Sequence, residues 1–171
     1  MESIINVNNA EFLNSVIDAI SEPVFVKDDK HNMVLINNAY TGFFGIEKNE
    51  IIGKNDYDFF PKEQVDVFWK KDDEVLKTGN TVVNEEKITN ANKEIRTIVT
   101  TKSLYIDDKK NKYIVGVIRD ITDMTVIKKI AEKHAQEIEN MNKSMLAREI
   151  EMIDIKKQID TLKSRLHELT C

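Results

Sequence analysis

The sequence contains a single cysteine, Cys171, among its 171 residues. One cysteine cannot form an intramolecular disulfide, so the fold needs no oxidising compartment, and we expect a cytoplasmic protein. With only two prolines and five glycines, the chain lacks the composition of a long disordered segment. No run approaches the roughly 20 apolar residues of a membrane-spanning helix, and the N-terminus lacks a basic region ahead of an apolar one. We therefore expect a protein that is not exported and has no membrane span.

Acidic residues outnumber basic residues in the first part of the chain, and the two are nearly equal in number in the second. Residues 1–123 carry 16 Lys and Arg against 22 Asp and Glu, and residues 124–171 carry 9 against 8. A nucleic-acid-binding surface needs clustered positive charge, which neither part provides. We therefore expect no nucleic-acid partner.

Residues 11–123 carry the pattern of a mixed helix and strand domain. EFLNSVIDAI, from Glu11 to Ile20, has the apolar spacing of an amphipathic helix. Two strand-like runs follow, PVFVK and MVLIN, and then short helical pieces, the longest from about Lys62 to Lys77. Three more strand-like runs come last: TVVNEEKIT, EIRTIVTTKSLYI and YIVGVIRDI. Because the helices are grouped between strands, we predict an α+β fold with a five-stranded antiparallel sheet and helices on one face.

After Thr122 the apolar residues recur in steps of three and four to the end of the chain. A seven-residue repeat held for about six repeats predicts a left-handed coiled coil. At 1.5 Å per residue the helix would extend roughly 70 Å. The predicted seam consists of Ile127, Ala131, His134, Ile138, Met141, Met145, Arg148, Met152, Ile155, Ile159, Leu162, Leu166 and Leu169. Only His134 and Arg148 in this seam are polar.

A helix of this length needs a partner, because the domain that precedes it cannot cover the whole apolar stripe. The simplest partner is a second copy, so we predict a homodimer. We favour parallel pairing because no loop folds the helix back, and the antiparallel form stays open. A shorter stripe at Leu146, Ile150 and Ile153 lies off the seam. It fits either a local shift of register or a docking face for another protein.

Most of residues 11–125 resembles a PAS domain of bacterial and archaeal sensor proteins. The resemblance rests on PVFVKDDKHNMVLINNAY, FFGIEKNEIIGKNDYDFFPKE, VLKTGN and VGVIRDITD, whose order and spacing follow the family pattern. It implies a PAS-like sheet and a division into an N-terminal tail at 1–10, a PAS domain with a flanking helix at 11–123 and a coiled-coil signalling helix at 124–171. The segment AREIEMIDIKKQIDTLKSRL also resembles linkers that join PAS domains to histidine kinase or other output domains.

The resemblance assigns a role to the junction of strand and helix. In PAS domains a closing Asp-Ile-Thr marks the exit into a signalling helix, and Asp120, Ile121 and Thr122 occupy those positions. The Thr122 hydroxyl can cap the free N–H groups of the helix, and Asp123 adds negative charge at its positive end. We expect signal exit here, although a well-capped helix without this role would carry the same residues.

No cofactor is identified by the sequence. Among PAS domains, a flavin–cysteine photoadduct needs a cysteine inside the domain, so the position of Cys171 excludes it. Haem-binding members generally take an axial histidine from the helical side, and none lies between His31 and His134, so we expect no haem. Non-covalent flavin stays open, with Phe44, Phe68 and Trp69 as stacking surfaces that ordinary cores also contain. Any other ligand would use an apolar cleft. Its expected lining is Phe44, Phe59, Phe60, Trp69 and Thr100, residues that ordinary core packing explains as well.

Four acidic pairs invite an enzymatic interpretation: Asp28 with Asp29, Asp56 with Asp58, Asp72 with Asp73, and Asp107 with Asp108. The first and last pairs fall in predicted turns, and Asp56 is suited to cap a helix. We expect no pair to be joined by a base, metal-ligand spacing or a phosphate-binding loop. We therefore predict no enzymatic activity and no metal site.

These features predict a PAS sensory and dimerisation module that couples a signal at its core to a parallel coiled coil in signal transduction, such as a two-component system. The expected partners are a second copy and a histidine kinase or response regulator. Two alternatives stay open. One is a constitutive adaptor that recruits a separate kinase or regulator, and the other is a fragment of a sensor histidine kinase.

Overall fold

The computed structural model describes the backbone of residues 10–170 and the side chains of residues 11–165. The predicted tail at 1–10, apart from the backbone of Ala10, lies outside the described residues, as do the side chains of Leu166 and Leu169. The chain divides into two compact units, Met1–Asp123 and Met124–Cys171.

Short strands and helices alternate with tight turns until one long helix begins. In the described residues the elements are, in order, α1 (Ala10–Asp18), β1 (Val24–Asp28), β2 (Met33–Ile36), α2 (Asn38–Phe44), α3 (Lys48–Ile51), a 3₁₀ turn (Asp56–Asp58), α4 (Lys62–Thr78), β3 (Val82–Thr89), β4 (Ile95–Ile106), β5 (Lys112–Asp120) and α5 (Thr122–Thr170). The first helix ends two residues before the predicted Ile20. Only Ile121 separates β5 from α5.

The strands form one antiparallel sheet in the order β2-β1-β5-β4-β3. The predicted α+β class and the five-stranded antiparallel sheet are confirmed. Strand β5 lies in the middle of this sheet, hydrogen-bonded to β1 on one side and to β4 on the other. The strand that leads into α5 is therefore also the strand at the centre of the domain.

Three hairpins of the sheet are closed by loops of the same conformation. In DDKHN the carboxylate of Asp28 accepts the backbone N–H groups of Lys30 and Asn32, and in DDKKN that of Asp107 accepts the equivalent two. In NANKE the side-chain oxygen of Asn90 does the same. The fourth residues of the loops have positive φ: His31 at 65°, Lys93 at 62° and Lys110 at 66°. The turns predicted at Asp28 and Asp107 are confirmed, and the loop conformation places a histidine in a left-handed position that lysines hold in the other two loops.

The core lies between the inner face of the sheet and helices α2, α3 and α4. It is a cluster of Phe25, Met33, Ile36, Tyr40, Ile51, Ile88, Ile98 and Ile118, all buried. Gly116 is required here because Phe25 covers it from the neighbouring strand. A Cβ at this position would lie 2.0 Å from Cζ of Phe25, so the ring can fill the centre of the sheet only above a residue without a side chain.

Asn37 ties the end of α1 to the sheet and to α2. Its side-chain oxygen accepts the N–H groups of Val24 and Tyr40, and its amide donates to the carbonyls of Ile17, Ile20 and Glu22. The residue is fully buried, and these bonds satisfy a polar group that would otherwise cost stability in the core.

Candidate functional site

Charged side chains lie on the inner face of the sheet, where apolar residues would be expected. Alternation along β1 directs Phe25 and Lys27 to the same face, and along β4 it directs Ile98, Thr100 and Lys102 inward. Lys27 and Lys102 are each only 2% exposed. Two ammonium groups are therefore held inside the domain, where they need partners.

Two carboxylates from the helical side provide those partners. Asp72 of α4 accepts from Lys102 Nζ at 2.6 Å and from Lys27 Nζ at 3.0 Å. Asp56 of the 3₁₀ turn accepts from Lys27 Nζ at 2.6 Å and from Trp69 Nε1 at 3.0 Å. The buried ion cluster, as we call Lys27, Asp56, Asp72 and Lys102, therefore joins the sheet to the helical layer through two positive and two negative groups.

His31 closes the cluster from the β1–β2 loop. Its Nδ1 lies 3.4 Å from Asp72 Oδ2 and its Nε2 lies 3.1 Å from Asp73 Oδ1. Its ring stacks on Trp69 with centroids 4.1 Å apart and an angle of 11° between the planes. The left-handed backbone at His31 turns the ring toward α4, so a loop residue becomes part of the interior.

Burial and ion pairing shift the pKa values of these groups in opposite directions. Burial alone would raise the pKa of Asp72, but the hydrogen bond from His31 and the charges of the two lysines outweigh it and hold the pKa below its usual range. Burial would lower the pKa of Lys27, and the charges of Asp56 and Asp72 raise it instead. For Lys102 the effect of burial is larger than that of the Asp72 charge, so the pKa of Lys102 is lowered.

A small cavity lies beside the cluster, between the sheet and helices α2 and α4. Its wall is formed by Phe25, Lys27, Met33, Tyr40, Phe44, Asp56, Phe60, Phe68, Glu86, Ile88, Ile98, Thr100, Lys102 and Ile118. The space left inside is about 30 Å³, which is room for about two water molecules. A ring-sized cofactor would fit only if these side chains moved.

The cavity brings together three of the five residues expected to line an apolar cleft. Phe44, Phe60 and Thr100 are on its wall, whereas Phe59 and Trp69 are not. Phe59 packs on the outside of the core, and Trp69 faces His31 and Asp56. Each of these two is the sequence neighbour of an aromatic residue that does line the cavity, and adjacent residues point in different directions.

Two expectations about the acidic residues are wrong. Asp56 does not cap the 3₁₀ turn, because the cap is Asn55, whose side chain accepts from Tyr57 N. Asp72 has basic partners, because folding brings two lysines and a histidine to it. The sequence carried one signal for this, namely a lysine at an inward position of β1 and another at an inward position of β4. Within residues 11–165, no group of three or more His, Cys, Asp or Glu side chains is arranged to hold a metal.

The junction of β5 and α5 is attached to β4. Ile121 N donates to the carbonyl of Thr97, and Thr97 N donates to Oγ1 of Thr122 at 2.9 Å. The carboxylate of Asp120 accepts from the backbone N–H of Thr122 at 2.9 Å and from its hydroxyl at 2.6 Å. Arg96 of β4 lies 3.6 Å from Asp120. The three residues expected at the signal exit therefore form one hydrogen-bonded group with the start of β4.

Helix α5 is continuous from Thr122 to Thr170. The described seam residues, from Ile127 to Leu162, are exposed, and so are Leu146, Ile150 and Ile153 of the second stripe. In the part of the chain that the structure describes, no helix is long and apolar enough to cross a bilayer. The helix is confirmed, and its pairing as a coiled coil stays a prediction.

Comparison with known proteins agrees with the fold. Residues 17–125 match the family model of the PAS fold. Among solved structures, a PAS domain of a Colwellia psychrerythraea protein has a TM-score of 0.57 at 14% identity, covering 67% of this chain and 98% of that one. A complex of Vibrio cholerae VqmA with ligand and DNA has a TM-score of 0.62 at 22% identity, covering 70% of this chain and 54% of that one.

Three relatives are similar in sequence. The uncharacterized protein y4lL of Sinorhizobium fredii is 33% identical over 118 residues, 67% of this chain and 14% of its own length. A diguanylate cyclase of Vibrio cholerae is 28% identical over 116 residues, 66% of this chain and 36% of its own. The transcriptional activator RocR of Bacillus subtilis is 29% identical over 147 residues, 80% of this chain and 28% of its own. The chain thus spans about a third or less of the length of each of these relatives.

Proposed function

This chain belongs to the PAS family, and from this premise we propose that it is a sensor module that passes the state of its PAS core to a C-terminal helix paired with a second copy. Diguanylate cyclase and transcriptional activator relatives place such domains in sensor-type signalling. PAS domains are generally sensory rather than enzymatic modules, and we propose no catalytic step for this one.

The observation that carries the proposal is the attachment of the helix start to β4. Thr100 and Lys102 of this strand line the cavity, and Lys102 belongs to the buried ion cluster. Three residues before Thr100, Thr97 exchanges hydrogen bonds with Ile121 and Thr122. A change in the position of β4 at the cavity therefore moves the groups that hold the first turn of α5.

The second support is the apolar surface of α5. Large apolar side chains repeat along the seam and are exposed in the single chain. Pairing with a second helix would remove them from water. The match to RocR covers 80% of this chain, more than the unit Met1–Asp123 contains, so part of α5 is shared with that activator. The similarity to this activator is therefore not confined to the PAS domain.

Parallel pairing is tested by disulfide formation in a Cys171→Ser background. Ile127→Cys places a thiol on the seam near the start of the helix, and Lys129→Cys places one on the outer face. A parallel dimer should form an intermolecular disulfide at 127 much faster than at 129. Equal rates at the two positions, or a disulfide at neither, would refute the parallel seam. An antiparallel dimer would hold the two 127 positions at opposite ends.

Coupling to the core is tested by changing the cavity wall. Thr100→Val removes the hydroxyl that donates to Glu86 at 3.0 Å, and we expect it to alter the rate of the disulfide at 127. Thr101→Val changes the neighbouring residue on the other face of the sheet and should have a smaller effect. If Thr122→Val abolishes the response to Thr100→Val, the junction carries the signal. A response that persists unchanged would contradict this route.

The adaptor alternative is favoured by the second stripe, since Leu146, Ile150 and Ile153 are also exposed. Analytical ultracentrifugation of the full chain and of Ile150→Lys separates two cases. If both are dimers, the stripe is free in the dimer, as recruitment of another protein requires. If Ile150→Lys reduces a larger assembly to a dimer, the stripe is covered by further copies of this chain and the adaptor alternative fails.

A further inference from the structure

One charged group on the cavity wall lacks an ionic partner. Lys27 and Lys102 are neutralised by Asp56 and Asp72. Glu86 of β3 lines the same cavity, and its hydrogen bonds come from neutral groups, the Thr100 hydroxyl and the Asn84 amide. Among the described side chains, none forms an ion pair with Glu86. With Glu86 ionised, the buried ion cluster and Glu86 together carry a net charge of −1, since two lysines face the three carboxylates of Asp56, Asp72 and Glu86.

The remaining wall is rich in aromatic rings. Phe25, Tyr40, Phe44, Phe60 and Phe68 all line the cavity. Lys27 Nζ lies 5.2 Å from the centroid of Phe25 and Lys102 Nζ lies 5.8 Å from that of Phe68, so two of the rings already face ammonium groups. Tyr40, Phe44 and Phe60 pack on one another, and no described ammonium group lies over them, although aromatic rings attract cations.

We propose that the cavity binds a small organic cation, an alkylammonium, that pairs with Glu86 and contacts the rings of Phe44 and Phe60. The inference rests on the proposed function in taking this cavity as the sensing site. An organic anion would add a second unpaired negative charge beside Glu86. A metal ion would find few oxygen ligands in a wall made mostly of rings and aliphatic side chains.

Binding of the cation should be linked to protons at Glu86. Burial raises the pKa of Glu86, and the charge of Asp72 acts in the same direction. The hydrogen bond from Thr100 and the charge of Lys102 offset this only in part. The other titratable groups on the wall are Lys27 from β1, Tyr40 from α2, Asp56 from the 3₁₀ turn and Lys102 from β4. Because only ionised Glu86 pairs with the ligand, binding should weaken toward acid pH and release protons there.

Methylammonium is the probe, since its two heavy atoms suit a space of about 30 Å³. Binding to the full chain is measured by calorimetry and thermal unfolding, with methanol as the neutral probe of equal size and sodium chloride as the ionic-strength control. Methylammonium should bind and raise Tm, whereas methanol should not. Glu86→Gln should weaken binding by about tenfold or more. Glu85→Gln, the same change at the exposed neighbour on β3, should leave binding unaltered.

Calorimetry in buffers of different ionisation enthalpy provides a test that needs no variant. Proton release per methylammonium bound should increase as the pH is lowered from about 8 to about 5. Absence of binding, equal binding of methanol, or unchanged binding by Glu86→Gln overturns the proposal. Failure of the proposed function has a different signature: methylammonium would bind, and the rate of the disulfide at 127 would not respond.

Discussion

Asp72→Asn tests whether the buried ion cluster holds the sheet and the helical layer together. The wild-type carboxylate accepts from Lys102 at 2.6 Å, from Lys27 at 3.0 Å and from His31 at 3.4 Å. The amide keeps the shape but removes the charge, and its NH₂ group faces an ammonium group. Lys27 retains Asp56 at 2.6 Å, so Lys102 is the group left without a carboxylate.

Loss of one partner from a buried ion pair costs about 3–5 kcal/mol. For a domain of this size the expected fall in Tm is roughly 12–20 °C, at about 4 °C per kcal/mol. Urea unfolding of the full chain at fixed concentration measures the loss in the free energy of unfolding. The transition is followed by far-ultraviolet circular dichroism and by the fluorescence of Trp69, the only tryptophan in the sequence. Because Trp69 contacts Asp56 and His31, its emission reports on the cluster directly.

Asp73→Asn is the matched control. It is the same change one residue along α4, at a side chain that is 69% exposed, and should cost less than about 1 kcal/mol. The double variant Asp72→Leu with Lys102→Met removes both charges and should cost less than Asp72→Asn alone, because no ammonium group is left unpaired. Equal losses from the two single asparagine variants would refute the reasoning.

The pH dependence of the same pair gives an independent check. The pKa of Asp72 is lowered in the folded state, so its contribution is present above the unfolded value of about 3.9 and is lost as the pH falls through the folded value. The difference in the free energy of unfolding between wild type and Asp72→Asn should therefore be constant near neutral pH and shrink below about pH 4. A difference that stays constant into acid would show that the loss is not electrostatic.

Two further changes test the sheet and the helix. Gly116→Ala should destabilise the domain by about 2 kcal/mol or more, because its Cβ would meet the Phe25 ring at 2.0 Å; Gly42→Ala, with nothing within 4 Å on α2, should be neutral or stabilising by up to about 1 kcal/mol in the same urea titration. Replacing His134 and Arg148 with Leu should raise the Tm of the proposed dimer and slow subunit exchange, because both are polar residues on the predicted apolar seam; an unchanged Tm in thermal unfolding at several concentrations would count against this seam.

The fold class was predictable because its signals are local. Strands, turns and the long helix each follow from the period of apolar residues and from turn residues such as Asp28, Asn90 and Asp107, whose side chains bind backbone within four positions. The hydrogen bond between Asp120 and Thr122 is of the same range, because the two residues are two positions apart. Interactions of this range can be inferred from the order of residues alone.

The buried ion cluster and the cavity depend on contacts between distant parts of the chain. Lys27, Asp72 and Lys102 lie on three elements, and nothing near Asp72 in the sequence shows that two lysines approach it. His31 occupies the same loop position as Lys110, yet only His31 meets α4 and becomes buried. Local residues thus set which elements form, whereas the pairing of β1 with β5 and the packing of α4 on the sheet decide which charges meet. A charge buried in the core is stable only beside an opposite charge, and tertiary packing determines which residues come close enough to provide it.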